Sequence, residues 1–138
     1  IYSGASVLIE SLGMDFSVID KVYIAGGIGN NLNIENSILI GLLPDIEREK
    51  FVYIGNSSLV GSYLALISKD AKKKVQEIGT EMTYVELSVY PTYMDEFISA
   101  CFLPHTNIEQ FPTVKAILGE YILKIRLNYI WLNLIDFL

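Results

Sequence analysis

One cysteine, one histidine and one tryptophan occur in the whole chain. Cys101 alone excludes an internal disulfide, and it cannot supply the thiolate set that an iron–sulfur cluster or a zinc site needs. No metal ligands are assigned here, and metal chemistry is expected outside this chain. Positive charge is scarce too: ten Lys and Arg stand against sixteen Asp and Glu, for a net charge of −6. Nucleic-acid binding rests on clustered Lys and Arg, so DNA and RNA are excluded as expected partners. The one basic run, Lys72-Lys73-Lys74, reads as the solvated face of a helix. Long apolar runs are missing as well. The uncharged stretch between Arg126 and Asp136 falls well short of the ~20 residues that a spanning helix requires. No membrane partner is expected, although such a stretch also suits an interfacial helix. Residues 1 to 30 lack a basic segment followed by an apolar core and a small-residue cleavage site, which makes the cytoplasm the expected location. The chain starts at Ile1 rather than Met, and Tyr2-Ser3-Gly4-Ala5 already reads as helix interior. A fragment lacking its N-terminal part is the expectation.

What is present is apolar material. Hydrophobic residues make up 51% of the chain and charged ones 19%, enough to bury a core within one domain or part of one. Ala5, Leu8, Ile9 and Leu12 share a helical face that Gly13 ends in the left-handed conformation. Val22-Tyr23-Ile24-Ala25 reads as a buried parallel strand. Asn33 is placed to cap a helix carrying Ile34, Ile38 and Leu42, with Glu35 favouring its positive end and Pro44 following it. Phe51-Val52-Tyr53-Ile54 is a second strand, and Gly55-Asn56-Ser57 turns into a helix with Leu59, Tyr63, Leu66 and Ile67. Ser68 caps another over Lys69 to Ile78. Tyr84-Val85-Glu86-Leu87 reads as a third strand, and Tyr93, Met94, Phe97, Ile98 and Cys101 form a helical face ahead of Pro104. The repeated strand–turn–helix plan predicts an α/β fold with a parallel or mixed sheet and flanking helices. From Val114 to Ile125 a helical stripe runs on, becoming apolar nearly all round beyond Arg126.

Chemistry concentrates at the end of the first strand. Gly26-Gly27, with Gly29 two places on, lets main-chain atoms approach a ligand because no Cβ intervenes. The amides there and the side chains of Asn30 and Asn31 can donate to phosphate or sugar oxygens, with the helix start adding partial positive charge. Alone, such a turn suits tight packing as readily as a ligand, and it matches neither GxGxxG nor GxxxxGK[ST].

Val22-Tyr23-Ile24-Ala25-Gly26-Gly27-Ile28-Gly29-Asn30-Asn31-Leu32-Asn33-Ile34-Glu35-Asn36, then Ile40-Gly41-Leu42-Leu43-Pro44-Asp45, resembles the C-terminal domain of the reductive activators of corrinoid proteins. So do Gly55-Asn56-Ser57-Ser58-Leu59-Val60-Gly61, Tyr84-Val85-Glu86-Leu87-Ser88, and Met94-Asp95-Glu96-Phe97 with Phe102-Leu103-Pro104-His105-Thr106. The resemblance runs from residue 1 to about Lys115. It implies part of an RNase-H-like lobe of an actin-like ATPase, in the superfamily of acetate and sugar kinases, Hsp70 and actin. It further implies ATP with Mg as the ligand, with Gly26 and Gly27 on the adenosine side and Gly29 and Asn30 beside them. The activators use ATP hydrolysis to drive reduction of cob(II)alamin to cob(I)alamin, with the electron arriving from a separate iron–sulfur domain. The implied partner is a corrinoid iron–sulfur or corrinoid methyl-transfer protein. The first lobe's phosphate loops and catalytic carboxylates and the cluster cysteines have no counterpart here. No catalytic residue is therefore assigned, and ATPase activity is expected of the full-length protein only. Residues 116–138 depart from the family and are set apart as an apolar helical tail of unassigned role. The alternative function is a non-catalytic interaction module that docks a corrinoid or other protein partner, and exposed apolar lobe surface adds homodimerisation to the expectations.

Other polar residues carry two readings each. Asn56 and Ser57 suit ligand contact or helix capping, with Ser57 the expected cap. Asp20 suits a turn or a carboxylate near the nucleotide. His105 and Cys101 lie four apart across a helix-breaking proline, which favours a turn histidine and a buried thiol over a catalytic pair. Asp95 and Glu96 point to different helix faces and read as solvated charges rather than an acid–base pair.

Overall fold

The protein is described from a computed structural model covering residues 1–135, with side chains described as far as Ile125. Helix α1, Tyr2–Ser11, stops where expected: Gly13 takes φ +66°, its N–H reaches the Glu10 carbonyl at 2.8 Å, and the Met14 N–H reaches that of Ile9 at 3.2 Å. Both bonds satisfy carbonyls that a helix end otherwise leaves unpaired.

Strand β1, Val22–Ala25, runs parallel to β2, Phe51–Gly55, with Val22 opposite Phe51 and Ala25 opposite Gly55. Between these pairs the register slips, leaving Ile54 as an extra residue on β2. A parallel pair needs a crossover. Here it holds one turn of helix α2, Gly26–Gly29, and α3, Ile34–Leu39, whose Asn33 cap accepts from the Asn36 N–H at 2.9 Å. Gly41 then repeats the stop used at Gly13, with φ +73°.

Helix α4, Ser57–Ile67, packs against α5, Lys69–Glu81, which Ser68 caps as expected. The cap of α4 is Asn56 rather than Ser57: Asn56 keeps a non-helical ψ of 78° and its Oδ1 accepts from the Leu59 N–H at 3.0 Å, whereas Ser57 is already helical. Helix α6, Tyr93–Ala100, lies against α1, and α7 runs from Pro112 to Ile135.

The α/β architecture is as expected, but the third strand is not formed. Residues 84–86 are irregular and Leu87–Val89 make one 3-10 turn. Among the described residues the sheet has two strands, so this segment has no ladder partner, and its polar groups turn inward on themselves. Glu86 instead accepts from the Tyr84 hydroxyl and from both the N–H and hydroxyl of Ser88. Helix α7 passes through the expected boundary at 115/116 without a break; its apolar continuation beyond Ile125 lies outside the described side chains.

The core gathers residues from both ends of the described chain. Tyr2, Ile24, Ile38, Leu43, Phe51, Phe111 and Val114 are all buried in one cluster. Phe111 is its hub, with ring centroids 4.9 Å from Tyr2 and 5.2 Å from His105.

Candidate functional site

Because Ala25 pairs with Gly55, the turns that follow the two strands leave the sheet side by side at its carboxyl edge. Ligands of open α/β sheets bind beyond that edge. Both turns use glycine in the left-handed region, Gly26 at φ +85° and Gly55 at φ +66°, as the abrupt change from strand to helix requires. The turn carrying Gly26 and Gly27 and the turn carrying Asn56 and Ser57 thereby leave the sheet from neighbouring strand ends, and Gly27, Asn30, Asn31, Asn56 and Ser57 are exposed.

The three glycines of the first turn do different things. Gly26 carries the left-handed backbone, while Gly27 is helical, and a Cβ on Gly27 would meet nothing within 4 Å. Gly29 faces inward: a Cβ there would stand 2.7 Å from Ile24 Cγ2. It is buried, and its missing side chain is what lets the turn sit on β1. Gly29→Ala is accordingly expected to destabilise the fold by about 1–3 kcal/mol through overpacking, read as a lower midpoint in denaturant unfolding. An unchanged midpoint would show that Ile24 moves aside without cost.

Polar groups line the open side. The first amides of α2 have no intrahelical acceptors and remain available as donors. A single turn of helix adds little macrodipole, so the donors themselves supply the attraction for an anionic or sugar oxygen. Asn31 Nδ2 donates to the Gly27 carbonyl at 2.9 Å, which secures the turn, and Asn56 Oδ1 caps α4 while its Nδ2 bonds to none of the described residues. The Tyr53 hydroxyl donates to the Leu32 carbonyl and ties β2 to the end of this loop.

The remaining sequence candidates lie elsewhere. Asp20 is exposed in a bend before β1. Cys101 is exposed and not buried, because it falls at the end of α6 where the chain turns outward. His105 is buried, as a turn histidine between the Tyr2 and Phe111 rings. Glu96 is not a freely solvated charge: it turns toward His105 with its side chain 21% exposed. A cavity of about 740 Å³ lies against α1, lined by Glu10, Asp15, Arg48, Glu96 and Gln110 among others, and it includes none of the glycine-turn residues. Among the described residues, no three His, Cys, Asp or Glu side chains converge in a way that would hold a metal ion.

A family described as the C-terminal domain of RACo, the ASKHA domain, matches residues 1–115. The chain belongs to that family. It is similar to the corrinoid activation enzyme RamQ of Eubacterium limosum, with 34% identity over 98 residues that cover 71% of this chain and 16% of that protein. It also superimposes on a solved reductive activator for corrinoid, iron–sulfur protein with a TM-score of 0.77 and 50% identity, covering 82% of this chain and 18% of that one. The chain thus spans about a sixth of the length of the curated relative it matches. No helix among the described residues of this RACo-type domain is long and apolar enough to cross a membrane.

Two side-chain groups of the RACo-type domain were not foreseen. Asp45, its side chain 1% exposed, accepts from Arg48 Nη1 at 2.9 Å, from the Thr113 N–H at 2.7 Å and from the Thr113 hydroxyl. Burial pushes the Asp45 carboxyl up, but these hydrogen bonds outweigh it and hold the group below the usual carboxylate range. Arg48 reaches on to Glu35, whose hydrogen bonds hold the guanidinium more firmly protonated than usual, while Glu35 is lowered in return. The second group links the Tyr2 hydroxyl to Gln110 Oε1 at 3.2 Å and Gln110 Nε2 to Glu96 Oε1 at 3.4 Å. Burial, with the Glu96 charge behind it, pushes the Tyr2 hydroxyl up to about 12. The links that join distant segments, Asp45 to Thr113 across 68 residues and Tyr2 to Gln110 across 108, leave no periodicity or local motif to find them by.

Proposed function

We propose that this chain is the nucleotide-facing C-terminal part of an ATP-dependent reductive activator of corrinoid proteins. The observation that carries the reading is the juxtaposition of Gly26-Gly27 and Asn56-Ser57 at the carboxyl edge of two parallel strands, in a chain of the RACo C-terminal family. In this reading Gly26 and Gly27 admit the adenosine against bare backbone. Asn30, Asn31 and the Nδ2 of Asn56 donate toward ribose or phosphate oxygens, and Ser57 adds a hydroxyl at the same edge. Gly29 contributes from behind by letting the turn seat on Ile24. ATP, bound with Mg, supplies the energy of hydrolysis in the complete protein; this chain binds and orients, and no step of hydrolysis is assigned to its residues. The chain does not fit an iron–sulfur cluster, since its one cysteine is exposed and stands alone, so the electron donor is placed in another part of the full-length protein. The partner is a corrinoid iron–sulfur or corrinoid methyl-transfer protein, and the working location is the cytoplasm.

Gly27→Val tests the assignment cleanly. A Cβ on Gly27 would meet nothing within 4 Å, so the valine variant is expected to fold, and in this reading its two methyl groups occupy the ligand's place. ATP affinity of the full-length protein, measured by calorimetry, is expected to fall five- to hundredfold, equivalent to about 1–3 kcal/mol. Gly79→Ala, on α5 and away from the turn, is expected to leave it unchanged, and circular dichroism confirms that each variant is folded. Wild-type affinity in folded Gly27→Val would overturn the adenosine-side assignment.

A second reading rests on α4, where Leu59, Tyr63, Leu66 and Ile67 are all at least 60% exposed. Such a face suits docking of a protein partner or a second copy. Pull-down of a corrinoid protein that proceeds equally with and without nucleotide would favour this non-catalytic role.

A further inference from the structure

His105 is the chain's one histidine, and its side chain is 1% exposed. Nδ1 accepts the Asn107 N–H at 3.1 Å, so the neutral ring carries its proton on Nε2. Nε2 faces Glu96 Oε2 at 3.8 Å, and both atoms are buried without a hydrogen-bond partner. A buried donor and acceptor left facing each other just beyond bonding distance are costly, and that cost falls when they close. We propose that His105 is a proton-operated fastener of the turn leading into α7: neutral, it holds the Asn107 N–H, and protonated, it releases that N–H and closes on Glu96.

The doubly protonated ring and the Asn107 bond exclude one another for a simple reason. A second proton on the ring occupies Nδ1, which turns the acceptor of the Asn107 bond into a donor and sets two N–H groups face to face. The same proton gives the ring a full positive charge, which draws Nε2–H toward the Glu96 carboxylate as a charge-assisted bond. Glu96 from α6 and the Tyr2 hydroxyl from α1, its ring centroid 5.3 Å away, are the titratable groups facing the imidazole. Phe111 on one side and the Gly41 backbone on the other bring no charge, and Gly41 leaves no slack, since a Cβ there would lie 3.3 Å from His105 Cβ. Residues 105–107 lead directly into the 3-10 turn Ile108–Gln110, then Phe111 and the start of α7. Releasing the Asn107 bond therefore loosens the segment that seats Phe111 and Val114 in the core, so that protonation of the ring is passed on to α7.

The test uses the single imidazole of the intact protein, labelled with ¹⁵N and followed by NMR from pH 8 to 5. The expected result is an Nε2–H tautomer at high pH that converts to the imidazolium as the pH falls. The Asn107 amide shift should move on the same titration curve, and its hydrogen-exchange protection should drop about tenfold, as for the loss of one hydrogen bond. His105→Asn places an amide oxygen where Nδ1 sits and should keep Asn107 protected with no pH step. Glu96→Gln should move the midpoint of the imidazole titration while the Asn107 step persists. If either variant fails to fold, the wild-type titration decides alone. An imidazole that stays neutral to pH 5 in the folded protein, or one that protonates while the Asn107 amide stays put, overturns the proposal.

Discussion

Phe111→Ala is expected to cost about 3–5 kcal/mol, the largest loss for any single truncation in this core. The ring is 1% exposed and packs against Tyr2 of α1, His105 of the turn before it, and the close approach of Gly41. Removing it leaves a cavity between Tyr2, His105 and Gly41, three groups drawn from separate parts of the chain. Since whole domains are stable by only about 5–15 kcal/mol, the variant should unfold at a far lower denaturant concentration than wild type. Chemical denaturation followed by circular dichroism reads the difference. Phe111→Leu, which keeps much of the volume, should recover most of it. A loss below about 1 kcal/mol for the alanine variant would mean that α7 is not seated through this ring.

Asp45→Ala is expected to lose about 2.5–4 kcal/mol, the sum of a helix cap near 1 kcal/mol and a charge-assisted hydrogen bond of about 1.5–3. The Asp45 carboxylate caps the first turn of α7 through the Thr113 N–H and anchors Arg48, which in turn holds Glu35 of α3. Arg48 is 29% exposed, so water takes up part of what it loses and the full penalty of a buried orphan charge does not apply. Sign follows from the direction of the shift. The folded carboxyl lies below its ordinary value of 3.8, so its contribution is fully present above that pH and fades as the pH falls through the folded value. The stability gap between wild type and Asp45→Ala should therefore be constant near neutrality and close only in strong acid. A gap that persists undiminished in acid would show that packing, not charge, accounts for Asp45.

Local rules made much of the fold legible. Gly13, Asn33 and Ser68 announced their helix ends because a cap needs only its own few residues. Val22–Ala25 and Phe51–Ile54 are recognisable as strands by β-branched and aromatic runs, and each found the other, the second running on to Gly55. Tyr84–Leu87 carried the same signal and formed no strand, since a run of this kind states that a segment fits a sheet, not that a neighbour stands beside it. Ser57 was the expected cap, but Asn56 is as good a cap by type, and the backbone angle at Asn56 chose between them.

By itself, then, the sequence determined the α/β alternation, most helix ends, the acidic balance, the lone cysteine and the family carried by the Gly26-Gly27 stretch. Tertiary structure decided that Gly29 is a packing glycine while Gly27 stands open, that both strand-end turns share one edge, and that Glu96 and His105 face each other in a buried setting. It also decided that Asp45 meets Thr113 from 68 residues away. The division has one physical cause. Caps, turns and periodicity are set by neighbours a few residues apart, whereas burial and pairing depend on which distant segments pack together, and no local rule encodes that distance.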